Sequence, residues 1–262
     1  MKRIFALLLA LLLLCTLVSC GGKDGDENEE TDLTIVTEHK SVMGEGNYQD
    51  CFEYEIVHGD EVAIVGFTSL YDLHDVVIPA EIEGCPVVEI ADGAFYQCSQ
   101  ITGITIPATV TEIGNMAFAG CLQLKKVTFA ATGAQLVSVG EYAFAKCVAL
   151  ETIALPASLT ALGEGAFFGC TKLVSVLLPQ GVTAIADMTF MGCTELVAVT
   201  SEASIVSVGD YAFCGCAKLL QFMPAAIADL RTIGEYAFSG CVAITPMESS
   251  DTLTVAPTAF LH

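Results

Sequence analysis

A phenylalanine that recurs seven times along the chain strongly limits the folds available to it. The intervals are 23, 26, 23, 23, 23 and 25 residues. The recurring residues are Phe95, Phe118, Phe144, Phe167, Phe190, Phe213 and Phe238. A cysteine follows each of them after three residues, and an isoleucine or leucine follows three residues later. This pattern, A-F-x-x-C-x-x-L with Thr189 replacing one alanine, predicts a stack of structural repeats.

Each repeat divides into two segments with different apolar periodicity. Val176 and Leu178 recur with a period of two, which predicts a short strand with one buried face, and Pro179 ends it because proline cannot donate a hydrogen bond to a sheet. After a turn, apolar residues recur at spacings of three and four, as from Ile113 to Cys121. That spacing predicts a short helix with one buried face.

A single repeat cannot bury its own apolar face, so the repeats are expected to stack. In such a stack the short strands form a parallel sheet with a spacing of about 4.8 Å. The recurring phenylalanine rings then form the centre of one continuous core. The predicted fold is an α/β repeat, that is, a solenoid with a parallel sheet of short strands on one side and short helices on the other.

The extended pattern I-x-x-x-A-F-x-x-C-x-x-L-x-x-[IV]-x-[IL]-P, over about residues 76–260, resembles the BspA-like leucine-rich repeat family. The resemblance implies a right-handed leucine-rich-repeat solenoid, which we assign to residues 88–262. Residues 76–90 look like that family's lead-in repeat, and residues 51–67 alternate as strand–turn–strand. We therefore expect residues 47–87 to form an N-terminal β cap and the lead-in repeat. The resemblance also implies adhesin-like roles toward host or bacterial partners.

The N-terminus has the character of an export signal. Lys2 and Arg3 precede an apolar run at residues 4–18, which is shorter than the ~20 residues of a spanning helix, so residues 1–19 are expected to be a signal peptide. Leu17-Val18-Ser19-Cys20 resembles the lipobox of bacterial lipoproteins, which implies that Cys20 is diacylated and becomes the mature N-terminus. The alternatives are an uncleaved anchor and an ordinary cleaved signal. Residues 20–46 would then be the lipidated cysteine and an acidic flexible linker.

The charge balance narrows the choice of partners. Lysine and arginine number 10 against 31 aspartates and glutamates, which gives a net charge of −21. A surface this negative repels phosphate backbones, so we expect no nucleic-acid partner. Contact with the membrane is expected through the lipid anchor only. The expected location is therefore the cell envelope, with the folded part exposed to the exterior.

The seven repeat cysteines raise the question of a metal array or a set of disulfides. Zinc sites use clustered ligands, whereas this spacing supplies one thiol per repeat, and repeat symmetry makes the side chains parallel. Burial in the core is the favoured interpretation, because free cysteine is among the most buried residue types. Cys51 and Cys85 lie outside the series, and whether they form a disulfide after export is left open.

Catalytic motifs are missing from the sequence. The four histidines have no partner at ligand spacing, and the patterns G-x-S-x-G and H-E-x-x-H and the P-loop do not occur. We therefore expect no enzyme activity, no metal site and no cofactor.

The outward-facing strand positions are the candidate binding site. The first row consists of Gly103, Lys126, Thr152, Ser175, Ala198 and Gln221. The second row consists of Thr105, Thr128, Ala154, Leu177, Thr200 and Met223. A broad, weakly polar sheet suits contact with a protein or a glycan. The hypothesis is a surface-anchored lipoprotein that acts as an adhesion or protein-binding module. The alternatives are a structural or glycan-binding accessory lipoprotein of an envelope complex, an unrecognised hydrolase, and a face that carries only filler.

Overall fold

The computed structural model of the protein describes residues 51–68, 73–223 and 227–261. These residues contain eighteen short β-strands, one 3₁₀ helix at Ile227–Asp229 and no α-helix. In chain order the strands are β1 (Phe52–Val57), β2 (Glu61–Phe67), β3 (Asp75–Val77), β4 (Glu81–Ile82), β5 (Cys85–Ile90), β6 (Gly103–Ile106), β7 (Glu112–Ile113), β8 (Lys126–Phe129), β9 (Ser138–Val139), β10 (Thr152–Ile153), β11 (Ala161–Leu162), β12 (Ser175–Leu178), β13 (Ala184–Ile185), β14 (Ala198–Ser201), β15 (Ser207–Val208), β16 (Gln221–Met223), β17 (Thr232–Ile233) and β18 (Thr254–Val255). The signal peptide, Cys20 and the acidic linker predicted for residues 1–46 lie outside the described residues.

The predicted parallel sheet is present and we call it sheet 1. Its strand order is β16-β14-β12-β10-β8-β6-β3, with each repeat contributing the strand next to that of the previous repeat. Ile104 and Ile106 of β6 are buried, and Pro107 follows the strand directly, as expected for a residue that cannot donate to the ladder. The alternation therefore fixes which side chains face the core and which face outward.

A second parallel ladder, which the sequence analysis did not predict as strands, follows the turn in each repeat. Sheet 2 has the order β1-β2-β5-β7-β9-β11, with β4 paired to β5, and sheet 3 has the order β13-β15-β17-β18. The repeat strands of both sheets have only two residues. Most carry one buried aliphatic side chain, such as Ile113 of β7 or Val208 of β15.

The prediction of short helices was wrong. The residues two before and two after each recurring phenylalanine have positive φ angles, for example Gly93 at 67° and Gln97 at 58° around Phe95. A right-handed helix needs negative φ at every position, so a left-handed residue on each side of the phenylalanine prevents it. The segment from Ile113 to Cys121 is a series of tight turns instead. The α/β repeat is thus corrected to a solenoid of parallel strands and turns.

Hydrogen bonds between repeats replace the missing helical bonds. The Phe95 N–H donates to the Ala117 carbonyl oxygen of the next repeat (2.7 Å), and the Phe118 N–H donates to the Ala143 carbonyl oxygen (2.8 Å). The same bond recurs down to Phe238, whose N–H donates to Ala259 (2.7 Å). The turn segments are therefore paired along the stack, and their buried backbone groups are satisfied.

The seven phenylalanine rings form an unbroken column through the core. Neighbouring ring centroids lie 5.0–5.7 Å apart, and the planes of neighbouring rings are within 18° of parallel. Phe67 extends the column at one end, and Phe260 of the incomplete eighth repeat stacks on Phe238 at 5.2 Å. All seven rings are at most 1% exposed, so the predicted core is confirmed.

The repeat with three additional residues keeps its place in the column. The rings of Phe118 and Phe144 are 26 positions apart in sequence and still stack at 5.2 Å with an interplanar angle of 5°. The additional length lies at residues 130–136, between β8 and β9, where most side chains are exposed or half-buried. Both flanking strands remain in register with their neighbours.

Residues 51–67 form the predicted strand–turn–strand. Strands β1 and β2 pair antiparallel, and β2 continues as a parallel neighbour of β5 in sheet 2. Phe52 and Phe67 approach the first ring of the column, Phe95, with centroid distances of 6.3 and 5.2 Å. The hairpin thus covers apolar surface at that end of the core. The described residues include no helix with the length and apolarity needed to cross a membrane.

Candidate functional site

The repeat cysteines point into the core, as predicted. Six of the seven are at most 1% exposed, and Cys98 of the first repeat is half-buried. Each of the six thiols donates to the carbonyl oxygen of the phenylalanine in the preceding repeat. The bond from Cys121 to Phe95 is 3.1 Å, and that from Cys147 to Phe118 is 3.2 Å. The thiols therefore join neighbouring repeats and are not presented to solvent.

Burial also sets the ionisation state of these thiols. Loss of solvation on burial raises the pKa of Cys147 and that of Cys193 to about 12. Burial raises the pKa of Cys170 well above its ordinary value in the same way. A thiol that stays protonated is a poor nucleophile and a poor metal ligand, so the cysteine column is a structural element.

The remaining metal-ligating residue types are dispersed. Among the described residues, no group of three or more histidine, cysteine, aspartate or glutamate side chains is placed to hold a metal ion. His58 and His74 are exposed, whereas His39 and His262 lie outside the described residues. No disulfide joins Cys51 and Cys85, both of which lie among the described residues.

An acidic ladder on the turn side was missed by the sequence analysis. Asp92 Oδ1 accepts a hydrogen bond from the Asn115 N–H of the next repeat (2.5 Å), and Asp187 Oδ1 does so from the Asp210 N–H (2.8 Å). A Cβ on the intervening Gly114 would lie 2.5 Å from Asp92 Oδ1, so only glycine fits there. The recurring Gly-[Asp/Asn/Glu] pair was the available sequence signal, and it indicates a packing role for these acids.

The first row lies on the outer face of sheet 1, as predicted. The register pairs Gly103 with Lys126, Lys126 with Thr152, and Thr152 with Ser175, and the row continues through Ala198 to Gln221. Lys126, Thr152, Ser175 and Gln221 are exposed. The structure therefore brings these side chains together at the spacing of adjacent strands.

The second row is also in register but is less exposed. Thr105 pairs with Thr128, and Leu177 pairs with Thr200. The three threonines are half-buried, whereas Leu177 is 52% exposed. Leu177 is therefore a large apolar side chain that is accessible on this face.

A third outward row, the edge row, precedes the strands of sheet 1 and was missed because it lies outside the strand alternation. It consists of Thr102, Lys125, Glu151, Val174, Val197 and Leu220. Backbone hydrogen bonds join its members, with the Val197 N–H donating to Val174 (2.8 Å) and the Leu220 N–H donating to Val197 (2.9 Å). Val174 is 43% exposed and Leu220 is 60% exposed. We call Val174, Leu177, Val197 and Leu220 the apolar patch.

Two shallow depressions lie outside sheet 1. One, of about 430 Å³, lies over sheet 3, with Ala184, Ser207 and Thr232 among its lining residues. The other, of about 520 Å³, is lined by residues that include Thr183, Val206 and Arg231. The rows of sheet 1 form an extended surface that crosses several repeats.

Comparison with known sequences identifies the repeat. The sequence profile of the BspA type Leucine rich repeat region matches residues 88–220 and 221–261, with six copies. A search of curated protein sequences found no match to the chain.

Solved structures of bacterial leucine-rich repeat proteins share the fold. A leucine-rich repeat protein of T. pallidum is 32% identical with a TM-score of 0.67, covering 75% of this chain and 89% of its own. A leucine rich cell surface protein of Faecalibacterium prausnitzii A2-165 is 32% identical with a TM-score of 0.67, covering 79% of this chain and 54% of its own. A protein of Bacteroides ovatus ATCC 8483 is 25% identical with a TM-score of 0.60, covering 80% of this chain and 61% of its own.

Proposed function

Because the chain belongs to the BspA type leucine-rich repeat family, we propose that it is a lipid-anchored surface protein that binds other proteins through the outer face of sheet 1. The observation that carries this proposal is the register of sheet 1, which aligns the first and second rows across consecutive repeats, while backbone hydrogen bonds join neighbours of the edge row beside them. Repeat proteins commonly use such extended surfaces for macromolecular partners. The proposal assigns the chain no catalysis.

The character of the face supports a protein partner. Several exposed side chains of the rows, such as Thr152 and Ser175, are small and uncharged on a chain with a net charge of −21. A contiguous weakly polar surface is easier to desolvate than a charged one, which favours contact with another folded surface. The hairpin of β1 and β2 serves in this proposal as the cap that keeps the first repeat from self-association.

Surface location is the second part of the proposal. The F. prausnitzii protein that shares 32% identity with this chain is a cell surface protein. The lipobox-like sequence ending at Cys20 and the acidic stretch that follows it would anchor the chain and hold the solenoid away from the bilayer. An adhesion role toward host or bacterial surface proteins follows from this placement.

The binding face can be tested by charge insertion. Thr152→Glu places a charged side chain at an exposed position in the middle of the first row, and we expect it to weaken binding of a partner by about tenfold or more. The full chain is immobilised and exposed to an array of purified host extracellular proteins, bacterial envelope proteins and envelope glycans. Affinities of all retained partners are then measured for each variant.

Thr232→Glu is the matched control for this test. Thr232 is an exposed threonine that begins a two-residue strand, like Thr152, but it belongs to sheet 3. Binding that survives Thr152→Glu and is lost in Thr232→Glu would place the site on sheet 3. Retention of glycans with no retained protein would favour the accessory role in glycan binding instead.

Lipid anchoring is tested separately. Cys20→Ala removes the thiol to be alkylated, and we expect the protein to move from the membrane fraction to the soluble fraction and to lose incorporation of a labelled fatty acid. Cys15→Ala, within the apolar part of the leader, is the control and should change neither readout. Unchanged membrane retention and labelling of the Cys20 variant would show that the anchor lies elsewhere.

A further inference from the structure

The outer face of sheet 1 divides into two chemically different halves. Toward the N-terminus, around β3 and β8, the outward side chains include Asp75, Lys125 and Lys126. Toward the C-terminus, over β12, β14 and β16, they include the apolar patch. The change occurs within the edge row, between Glu151 and Val174, which are joined by a backbone hydrogen bond of 3.0 Å.

The apolar patch is continuous across three repeats. Val174, Val197 and Leu220 are consecutive members of the edge row, each bonded to the next through the backbone. Leu177 adds a 52% exposed side chain from the second row of β12. Val197 is half-buried, so the exposed aliphatic surface is that of Val174, Leu177 and Leu220, which loses unfavourable contact with water when a partner covers it.

Lysines are concentrated at this face although the chain is strongly acidic. Of the six lysine and arginine residues in the described part of the chain, four lie on sheet 1 or within three residues of its strands: Lys125, Lys126, Lys172 and Lys218. The described acids on sheet 1 or within three residues of its strands are Asp75, Glu151, Glu195 and Glu202, and Glu195 is already paired with Lys218 at 2.5 Å.

The turn side has the opposite character. Its outward acids occupy one position in six of the seven repeats, with Asn115 in the second repeat, and are Asp92, Glu141, Glu164, Asp187, Asp210 and Glu235. Their field repels an approaching anionic group, whereas the lysines beside sheet 1 attract it. An acidic partner is thus directed to sheet 1, where the apolar patch lies.

We propose that the apolar patch binds an extended protein segment that presents aliphatic side chains flanked by aspartate or glutamate. The aliphatic side chains cover Val174, Leu177 and Leu220, and the carboxylates lie near Lys172 and Lys126, both of which are exposed. This inference rests on the proposed function, because it names the chemistry of the partner bound at sheet 1. It predicts that the chain prefers acidic partners, whereas its net charge of −21 would by itself favour basic ones.

The test is selection of random linear peptides displayed on phage against the immobilised full chain. We expect the enriched peptides to combine leucine, isoleucine or valine with aspartate or glutamate. Synthetic copies of the enriched peptides should bind about tenfold more weakly to Val174→Glu and to Leu220→Glu. Binding to Lys172→Glu should weaken by about fivefold, and added salt should reduce the affinity of the unmodified chain.

Matched variants outside sheet 1 serve as controls. Val206→Glu alters a valine that is 43% exposed, like Val174, but precedes β15 of sheet 3. Lys146→Glu reverses an exposed lysine in the turn after Phe144, away from sheet 1. Both control variants should bind the peptides like the unmodified chain, and circular dichroism should give all five variants the same spectrum.

The other outcomes separate this inference from the proposed function. Enriched peptides that are basic or uncharged, and that lose affinity in Val174→Glu or Thr152→Glu, would overturn the partner chemistry and leave sheet 1 as the binding face. Peptides whose binding is unchanged in every sheet 1 variant would overturn both the partner chemistry and the assignment of sheet 1 as the binding face. Selection without enrichment would overturn the inference of a linear segment, while partners retained in the protein array would still support the proposed function.

Discussion

Raising the pH from about 8 to about 10 should unfold the solenoid, because six thiols buried in its core stay protonated only in the folded state. Burial raises the pKa of each of them, to about 12 for Cys147 and Cys193. In the unfolded chain the same thiols ionise near pH ~8.5–9. The folded state therefore has its full stability below that pH and loses it progressively as the pH rises toward the folded pKa.

The expected size of this effect is comparable to the whole stability of an ordinary domain. Each such thiol lowers the free energy of unfolding by about 1.4 kcal/mol for each pH unit above its unfolded pKa. Six thiols together then lower it by about 8 kcal/mol between pH ~8 and pH ~10, whereas domains are commonly stable by about 5–15 kcal/mol. Repulsion among the acids of a chain with a net charge of −21 acts in the same direction.

Urea unfolding of the full chain in reducing buffer, followed by circular dichroism, measures the free energy of unfolding at each pH. The control is the double variant Cys147→Ala with Cys193→Ala, which removes two of the six thiols and should reduce the slope above pH ~9 by about a third. The slope is informative even if the double variant is less stable at neutral pH. A slope no larger than that of one thiol, about 1.4 kcal/mol per pH unit, would show that the thiols ionise in the folded state.

Replacing Phe167 by alanine should lower the free energy of unfolding by about 3–5 kcal/mol. The side chain is fully buried, and its ring lies between those of Phe144 and Phe190 at centroid distances of 5.7 and 5.6 Å. The substitution removes apolar contact area and leaves a cavity in the middle of the column, because the backbone bond from the Phe167 N–H to Thr189 fixes the repeat spacing. Urea unfolding at neutral pH measures the loss.

Phe168 provides a control of the same residue type at the adjacent position. Its side chain is half-buried and meets Tyr142 edge-on at 6.2 Å, outside the phenylalanine column. Phe168→Ala should therefore cost about 1 kcal/mol, the usual size for a partly exposed side chain. Equal losses in the two variants, or a loss below about 1 kcal/mol for Phe167→Ala, would contradict the central position of the column.

The sequence was sufficient to predict the core and sheet 1. Apolar residues at fixed spacing have one way to be buried when repeats stack, so Phe167, Cys170 and Leu178 could be placed inward without coordinates. The period of two in each strand then determined the outward rows, and the observed pairing of Thr152 with Ser175 follows the prediction.

The turn segments could not be predicted from apolar spacing alone. A spacing of three and four residues fits a helix and also fits the tight turns around Phe167, in which Gly165 and Gly169 have φ angles of 58° and 68°. The helix and the turns differ in the sign of φ at these positions. A glycine indicates a positive φ only in the repeats that have one there. In the third repeat Tyr142 and Lys146 take the same left-handed positions, and their residue types give no such indication.

The edge row was missed for a related reason. Val174 and Ser175 are adjacent in sequence and both are exposed, which breaks the alternation used to assign faces. The chain turns into the strand at this point, so two successive side chains reach the surface. Strand ends of this kind can be assigned only when the backbone path is known.

The three additional residues at 130–136 show where this architecture tolerates changes in length. They leave the ring stacking of Phe118 on Phe144 at 5.2 Å and leave β8 and β9 in register, since they enter the chain between two ladders and not within one. Gly133 lies in this segment, and a Cβ built on it would contact nothing within 4 Å. This corner is consequently a suitable place to insert an epitope tag or a fluorophore attachment site. A reporter there leaves both the outward rows of sheet 1 and the phenylalanine column unchanged.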